Sequence, residues 1–102
     1  MIKLTVLYPN VADLKFDKDY YIEKHGPLLT DLLGDALKSV DVNMGLSGVS
    51  PDQPAPYVVI TNLTFDSLES FQGSFGVHAE KILADLPNFT NVQPVVQISE
   101  AV

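Results

Sequence analysis

The chain has 102 residues, 46% hydrophobic and 19% charged, which is ample apolar material for one packed core with no length left for a second. It has no cysteine, which excludes disulfide frameworks, thiol nucleophiles and sulfur-ligated metals, and makes a cytoplasmic setting the simpler expectation. A net charge of −7 repels phosphate backbones, so nucleic acid is not an expected partner, and no apolar run reaches the ~20 residues that span a bilayer.

Ile2 to Tyr8 reads as a strand, with Ile2, Leu4, Val6 and Tyr8 on one face and Lys3, Thr5 and Leu7 on the other. Pro9-Asn10 ends it. Asp17 is a good N-cap for a helix that runs to about Leu33 and stops at Gly34. Lys38 to Leu46 is a second strand, and Ser47 to Pro56, with three prolines and a glycine, is a long semi-rigid hairpin loop. Tyr57 to Phe65 is a third strand, apolar on both faces apart from Thr61, Asn62 and Thr64. Asp66 and Glu69 resemble a capping box that opens a second helix, which Gly73 and Gly76 threaten to break and Pro87 ends. Val92 to Ile98 is the last strand, with Pro94 arguing for an edge.

The order β-α-β-β-α-β predicts an α+β domain of ferredoxin-like pattern, with both helices on one face of a four-stranded antiparallel sheet. The other sheet face is then bare, although strands one and three carry apolar residues on both sides. A second copy packed sheet against sheet covers it most economically, making a homodimer the expected partner. Asn43, Asn62 and Gln97 would line the space between the sheets.

His25 is the more informative of two histidines. At 100° per residue, Tyr21, Ile22, His25, Leu28, Leu29, Leu32 and Leu33 share an arc of ~140°, with His25 near its middle. Such a histidine is either a core residue satisfied by a backbone carbonyl or a titratable group facing a ligand. Gly26-Pro27 favours the second: Pro27 cannot donate to the carbonyl of Glu23, so the helix is kinked beside His25 and space opens there. Tyr21, one turn earlier, is a second polar tip, and Tyr8 at the end of the first strand is a third. His78 falls at a helix boundary and reads as a surface residue. The acidic run Asp17-Lys18-Asp19 lacks calcium-loop spacing, and no zinc motif, phosphate loop or nucleophile elbow is present, so neither a metal nor a cofactor is expected. The six basic residues are all lysine. Without the arginine fork that carboxylate and phosphate sites commonly use, the ligand is expected to be small, neutral and apolar.

Leu7-Tyr8-Pro9-Asn10 and Phe16-Asp17-x-Asp19-Tyr20-Tyr21-x-x-x-His25-x-Pro27-Leu28 resemble the signature of the EthD family. So do Phe75-Gly76-x-His78-Ala79 and Asp85-x-Pro87-Asn88-Phe89-Thr90-Asn91-x-x-Pro94. The resemblance covers nearly the whole chain. It implies a dimeric α+β barrel in which two ferredoxin-like sheets pack face to face. Family members accompany ethyl tert-butyl ether degradation, and related proteins act as lactone isomerases, dehydratases or cofactor-independent monooxygenases. His25 matches the family's helix histidine, and it alone takes a catalytic role from the resemblance.

The leading expectation is therefore an enzyme that uses His25 to shuttle a proton in isomerisation, dehydration or cofactor-free oxygenation. Tyr8, Tyr21, Asn62 and Gln97 would bind the ligand in a pocket between the sheets. The alternatives are a non-catalytic carrier serving an oxygenase and a purely structural dimer.

Overall fold

A computed structural model describes all 102 residues. Four strands, β1 (Ile2–Pro9), β2 (Ser39–Met44), β3 (Tyr57–Phe65) and β4 (Val95–Glu100), form one sheet in the order β2-β3-β1-β4. All neighbours are antiparallel. This is the ferredoxin-like α+β arrangement, and its helices cross one face only. β4 begins just after Pro94 and lies at an edge, where a missing backbone donor breaks no ladder.

The first helix starts at Lys18, where the Asp17 side chain accepts from the Tyr20 amide at 3.0 Å. It passes through a π turn at Tyr21–His25 and continues as an α-helix over Gly26–Leu33. The second helix spans Leu68–Ala84 without a break at Gly73 or Gly76. Its cap is Ser67 rather than Asp66: the Ser67 hydroxyl accepts from the Ser70 amide at 3.1 Å. The expected Asp66–Glu69 capping box gives way to this single Ser67 cap, and Asp66 instead pairs with Lys38 at the surface.

Strand parity sorts the core. The helix-facing residues of β3, namely Val59, Thr61, Leu63 and Phe65, are all buried, as are Leu4 and Tyr8 of β1. Leu29, Leu33, Phe71 and Ile82 close over them from the two helices. A second cluster, built on Tyr8, Tyr21, Val59, Leu86 and Phe89, adjoins it at the other end.

The opposite sheet face is divided between apolar and polar residues. Leu7 stands in register with Ile60 on one side and Val95 on the other, and forms an apolar patch with them. Beside it runs a polar row in which Thr5 donates to Asn62 at 2.7 Å and Asn62 donates to Asp41 at 3.0 Å. The segment between β2 and β3 projects as an arm, with Leu46 and Val49 fully exposed. The radius of gyration is 14.0 Å, against the ~13 Å typical of a chain this long. No helix is long and apolar enough to cross a membrane.

Candidate functional site

The π turn explains how Tyr21 and His25 both come to face inward. Pro27 has no amide hydrogen to return to the preceding turn, and Gly26 donates five residues back, to the carbonyl of Tyr21. The helix widens by one residue instead of breaking, and the two rings stack at 5.4 Å with 21° between their planes. The kink expected beside His25 is therefore a local change of pitch.

The third side of the site comes from the chain leaving the second helix. Asp85 caps that helix, and the following turn Leu86–Asn88 delivers Phe89 into the aromatic cluster. Stitches to the strand-to-helix connection hold this segment in place. The Asp17 amide donates to the Phe89 carbonyl at 2.7 Å, the Lys15 amide to the Asn91 side chain at 2.8 Å, and the Thr90 hydroxyl to the Lys15 carbonyl at 2.8 Å. The start of the first helix and the end of the second thus form one rigid corner.

At that corner His25 is 3% exposed, and its Nδ1 lies 2.8 Å from Asp85 Oδ2. The partner is a carboxylate rather than the backbone carbonyl of the bland expectation. Asp85 Oδ1 in turn accepts from the Tyr20 hydroxyl at 2.7 Å and from Asn88 Nδ2 at 2.9 Å. Burial pushes the Asp85 carboxyl up, but the hydrogen bonds from Asn88, His25 and Tyr20 outweigh it and hold the group below its ordinary range. Burial pulls His25 down, and Asp85 only partly offsets this. The resting pair is therefore a carboxylate and a neutral imidazole.

That charge state fixes the tautomer. An ionised carboxylate only accepts, so Nδ1 carries the ring hydrogen and Nε2 keeps its lone pair. Every side-chain nitrogen or oxygen sealed from solvent has a hydrogen-bond partner, and Nε2 has none, so it is not sealed. It belongs to a ring lining an open cleft of about 460 Å³ between the first helix and the β2–β3 edge of the sheet. Ile22, Leu29, Val40, Val42 and Leu63 supply the apolar walls, and no charged side chain lines the cleft. Tyr21 and Thr61 add hydroxyls, which share a hydrogen bond of 2.5 Å.

Behind His25 lies a smaller cavity of about 40 Å³, bounded by Tyr8, Tyr21, His25 and Thr61 together with apolar residues of both helices and β4. Tyr8 is 2% exposed, and burial, together with the neighbouring Tyr21 hydroxyl, raises its phenol so far that it stays protonated. Burial also raises Tyr21, although its bonds to Thr61 and Tyr8 work against this.

Of the residues singled out above, the structure brings together His25, Tyr21 and Tyr8. It does not bring Asn62 and Gln97 to them. Asn62 follows Thr61 on β3, and Gln97 pairs with Thr5 on the bare face, so parity turns both away from the helices. His25 itself lines a cleft between helix and sheet within one chain, on the other side of the sheet from Asn62 and Gln97. His78 lines neither cavity, and no three metal-ligating side chains converge anywhere. Asp85 and Thr61 were missed as site residues. Asp85 stands in the motif Asp85-x-Pro87-Asn88-Phe89, and Thr61 is a polar break on the buried face of β3.

Comparison with known proteins agrees with this architecture. An EthD-like protein of Ralstonia eutropha JMP134 is 36% identical, with 97% of this chain aligned to 89% of that one at a TM-score of 0.91. An ethyl tert-butyl ether degradation (EthD) family protein of Bacillus halodurans C-125 is 19% identical, with 100% and 99% covered and a TM-score of 0.71. A protein of Arabidopsis thaliana, 15% identical over 99% and 94% of the two chains, shares the fold at a TM-score of 0.66. No curated protein matches the chain. The EthD domain matches residues 11–93, a span that holds the first helix, His25, the stitched corner and Asp85, and the chain belongs to the EthD family.

Proposed function

We propose that this protein binds a small, neutral, mostly apolar organic molecule in the cleft beneath the first helix, and that His25 moves a proton on it. The observation that carries this reading is the buried His25–Asp85 pair, with Nδ1 tied at 2.8 Å and Nε2 left unbonded. A neutral imidazole oriented by a carboxylate is a general base ready at neutral pH, an arrangement typically worth ~10²–10⁴-fold in rate. The apolar walls suit an uncharged ligand. Isomerisation, dehydration and cofactor-free oxygenation all begin with such a proton transfer.

A second reading, a carrier that holds a hydrophobic intermediate for an oxygenase, is favoured by the cleft's open side and few polar groups. We further propose that two copies pair through the bare sheet face, with the patch of Leu7, Ile60 and Val95 at its centre.

His25→Gln separates the two functional readings. Ligands that co-purify are identified by native mass spectrometry, and binding and turnover of each are compared between variant and wild type. Catalysis predicts turnover lost by about two orders of magnitude or more, with binding kept. Binding unchanged with no turnover in either protein supports the carrier.

A further inference from the structure

We infer that Tyr20 is a positioning residue for the proton transfer: its hydroxyl takes up part of the Asp85 charge through the oxygen that His25 does not use, and so keeps the imidazole neutral where it must accept a proton. This deepens the proposed function and rests on His25 acting as a base. It comes from the way three donors divide between two carboxylate oxygens. Tyr20 Oη donates to Asp85 Oδ1 at 2.7 Å and Asn88 Nδ2 donates to the same oxygen at 2.9 Å, while Oδ2 is left to His25 Nδ1 at 2.8 Å.

The two donors on Oδ1 come from different parts of the fold. Asn88 sits in the turn that follows Asp85, three residues on, so its bond is local and aims the carboxylate. Tyr20 comes from the first helix, 65 residues away in sequence, immediately before the π turn that carries Tyr21 and His25. Its ring stacks on Phe89 at 6.1 Å with 22° between planes, and Phe89 meets the His25 ring at 4.6 Å. This packing fixes the Tyr20 ring with its hydroxyl against the carboxylate. Without that hydroxyl, Asn88 still keeps Oδ2 aimed at the imidazole.

A carboxylate that accepts a hydrogen bond has its charge stabilised, and it then holds a neighbouring imidazolium less strongly. The Tyr20 phenol keeps its hydrogen for this bond, because the bond itself, burial and the negative charge of Asp85 raise it and outweigh the contact with Asn88. No charged side chain faces the ring across either the cleft or the small cavity. Tyr21 on its own helix and Tyr8 on β1 are phenols raised chiefly by burial. β3 presents Thr61, β2 its valines across the cleft, and the second helix and β4 only apolar side chains. Asp85 is thus the charge that acts on His25, and Tyr20 is the donor from outside its own turn that moderates it.

Tyr20→Phe keeps the ring on Phe89 and deletes only the donor. Nitrogen-15 spectra of the His25 ring in the full chain, followed from about pH 8 to about pH 4, read its tautomer and its titration midpoint together. The inference predicts a midpoint about 0.5–1 pH unit higher in the variant than in wild type, with the ring hydrogen of the neutral form still on Nδ1. 3-Fluorotyrosine in place of Tyr20, a stronger donor of nearly the same shape, should move the midpoint the other way, and it serves if Tyr20→Phe fails to fold. A purely structural Tyr20 would lower the melting temperature of Tyr20→Phe and leave the midpoint where it is. A midpoint unchanged or lowered, with the hydrogen on Nδ1 in both proteins, overturns the role of Tyr20 and leaves the base reading standing. A wild-type ring that carries its hydrogen on Nε2 overturns the base reading, and the inference with it.

Discussion

Asp85→Asn isolates orientation from shape. The carboxylate accepts from Tyr20, Asn88 and His25, and is 12% exposed, so these bonds are little screened. Asparagine keeps an oxygen for Tyr20 and Asn88, though each bond weakens as the charge is lost. Its NH2 then faces His25, which can satisfy it only by turning Nδ1 into an acceptor and carrying the ring hydrogen on Nε2. Each of the three bonds loses charge assistance at ~0.5–1 kcal/mol, giving ~1.5–3 kcal/mol in all. For a domain of this size that lowers Tm by about 6–24 °C. Base function should fall far more, by ~10²–10⁴-fold, because Nε2 no longer has a free lone pair. Nitrogen-15 chemical shifts of the His25 ring report the tautomer directly, and a thermal melt on the same sample reports the stability. A ring hydrogen that stays on Nδ1 in the variant would refute the reasoning.

Acidification should weaken the fold in two stages. Folded His25 binds its proton more weakly than the ordinary imidazole value of 6.5, so stability is complete above that pH and declines below it, at most ~1.4 kcal/mol per pH unit. Asp85 is held below 3.8, so its contribution is lost only as pH falls further, through its folded value. Urea denaturation at pH 7.5 and pH 5 should show the first decline in wild type and a smaller one in His25→Gln. Ser67→Ala should cost ~1 kcal/mol by removing the second helix's cap, whereas Asp66→Ala should cost under ~0.5; equal losses in urea midpoints would restore Asp66 as the cap. Ile60→Lys, at the centre of the bare face, should turn a dimer into an 11.1 kDa monomer in sedimentation while the helix-side cleft keeps its ligand.

Much of the fold was legible because period and punctuation agreed. Tyr57–Phe65, a run rich in β-branched and aromatic residues, gives both ends of β3, and Asp17 with Gly34 brackets the first helix. Its inward arc already placed Tyr21 and His25 together. Parity was harder to use across the sheet. Only the register separates Asn62 and Gln97 from His25, since one step along a strand moves a side chain to the opposite face. Asp85 could not be paired with His25 from spacing, because 60 residues separate them and the stitches through Lys15, Thr90 and Asn91 create their contact. Ser67 and Asp66 are both good caps by type. Which one serves depends on where the chain leaves β3, a tertiary matter.

The π turn at Tyr21–His25 acts as a spacer in angle rather than in length. Five residues occupy a stretch that an α-helix would cover with about four, so everything before the turn is rotated by ~100° against everything after it. Deleting one residue from this turn, Glu23 for instance, would let the helix close into ordinary α pitch, with Asp17 still capping it. The apolar stripe of Leu29 and Leu33 would stay seated on the sheet, while Tyr21 swung out of reach of Thr61. Such a chain should keep its first helix but give up the buried aromatic packing of Tyr21 and the hydroxyl pair it forms with Thr61 at the cleft. The site is thus a phase error in an otherwise regular helix, and its removal needs no change to any residue that touches the ligand.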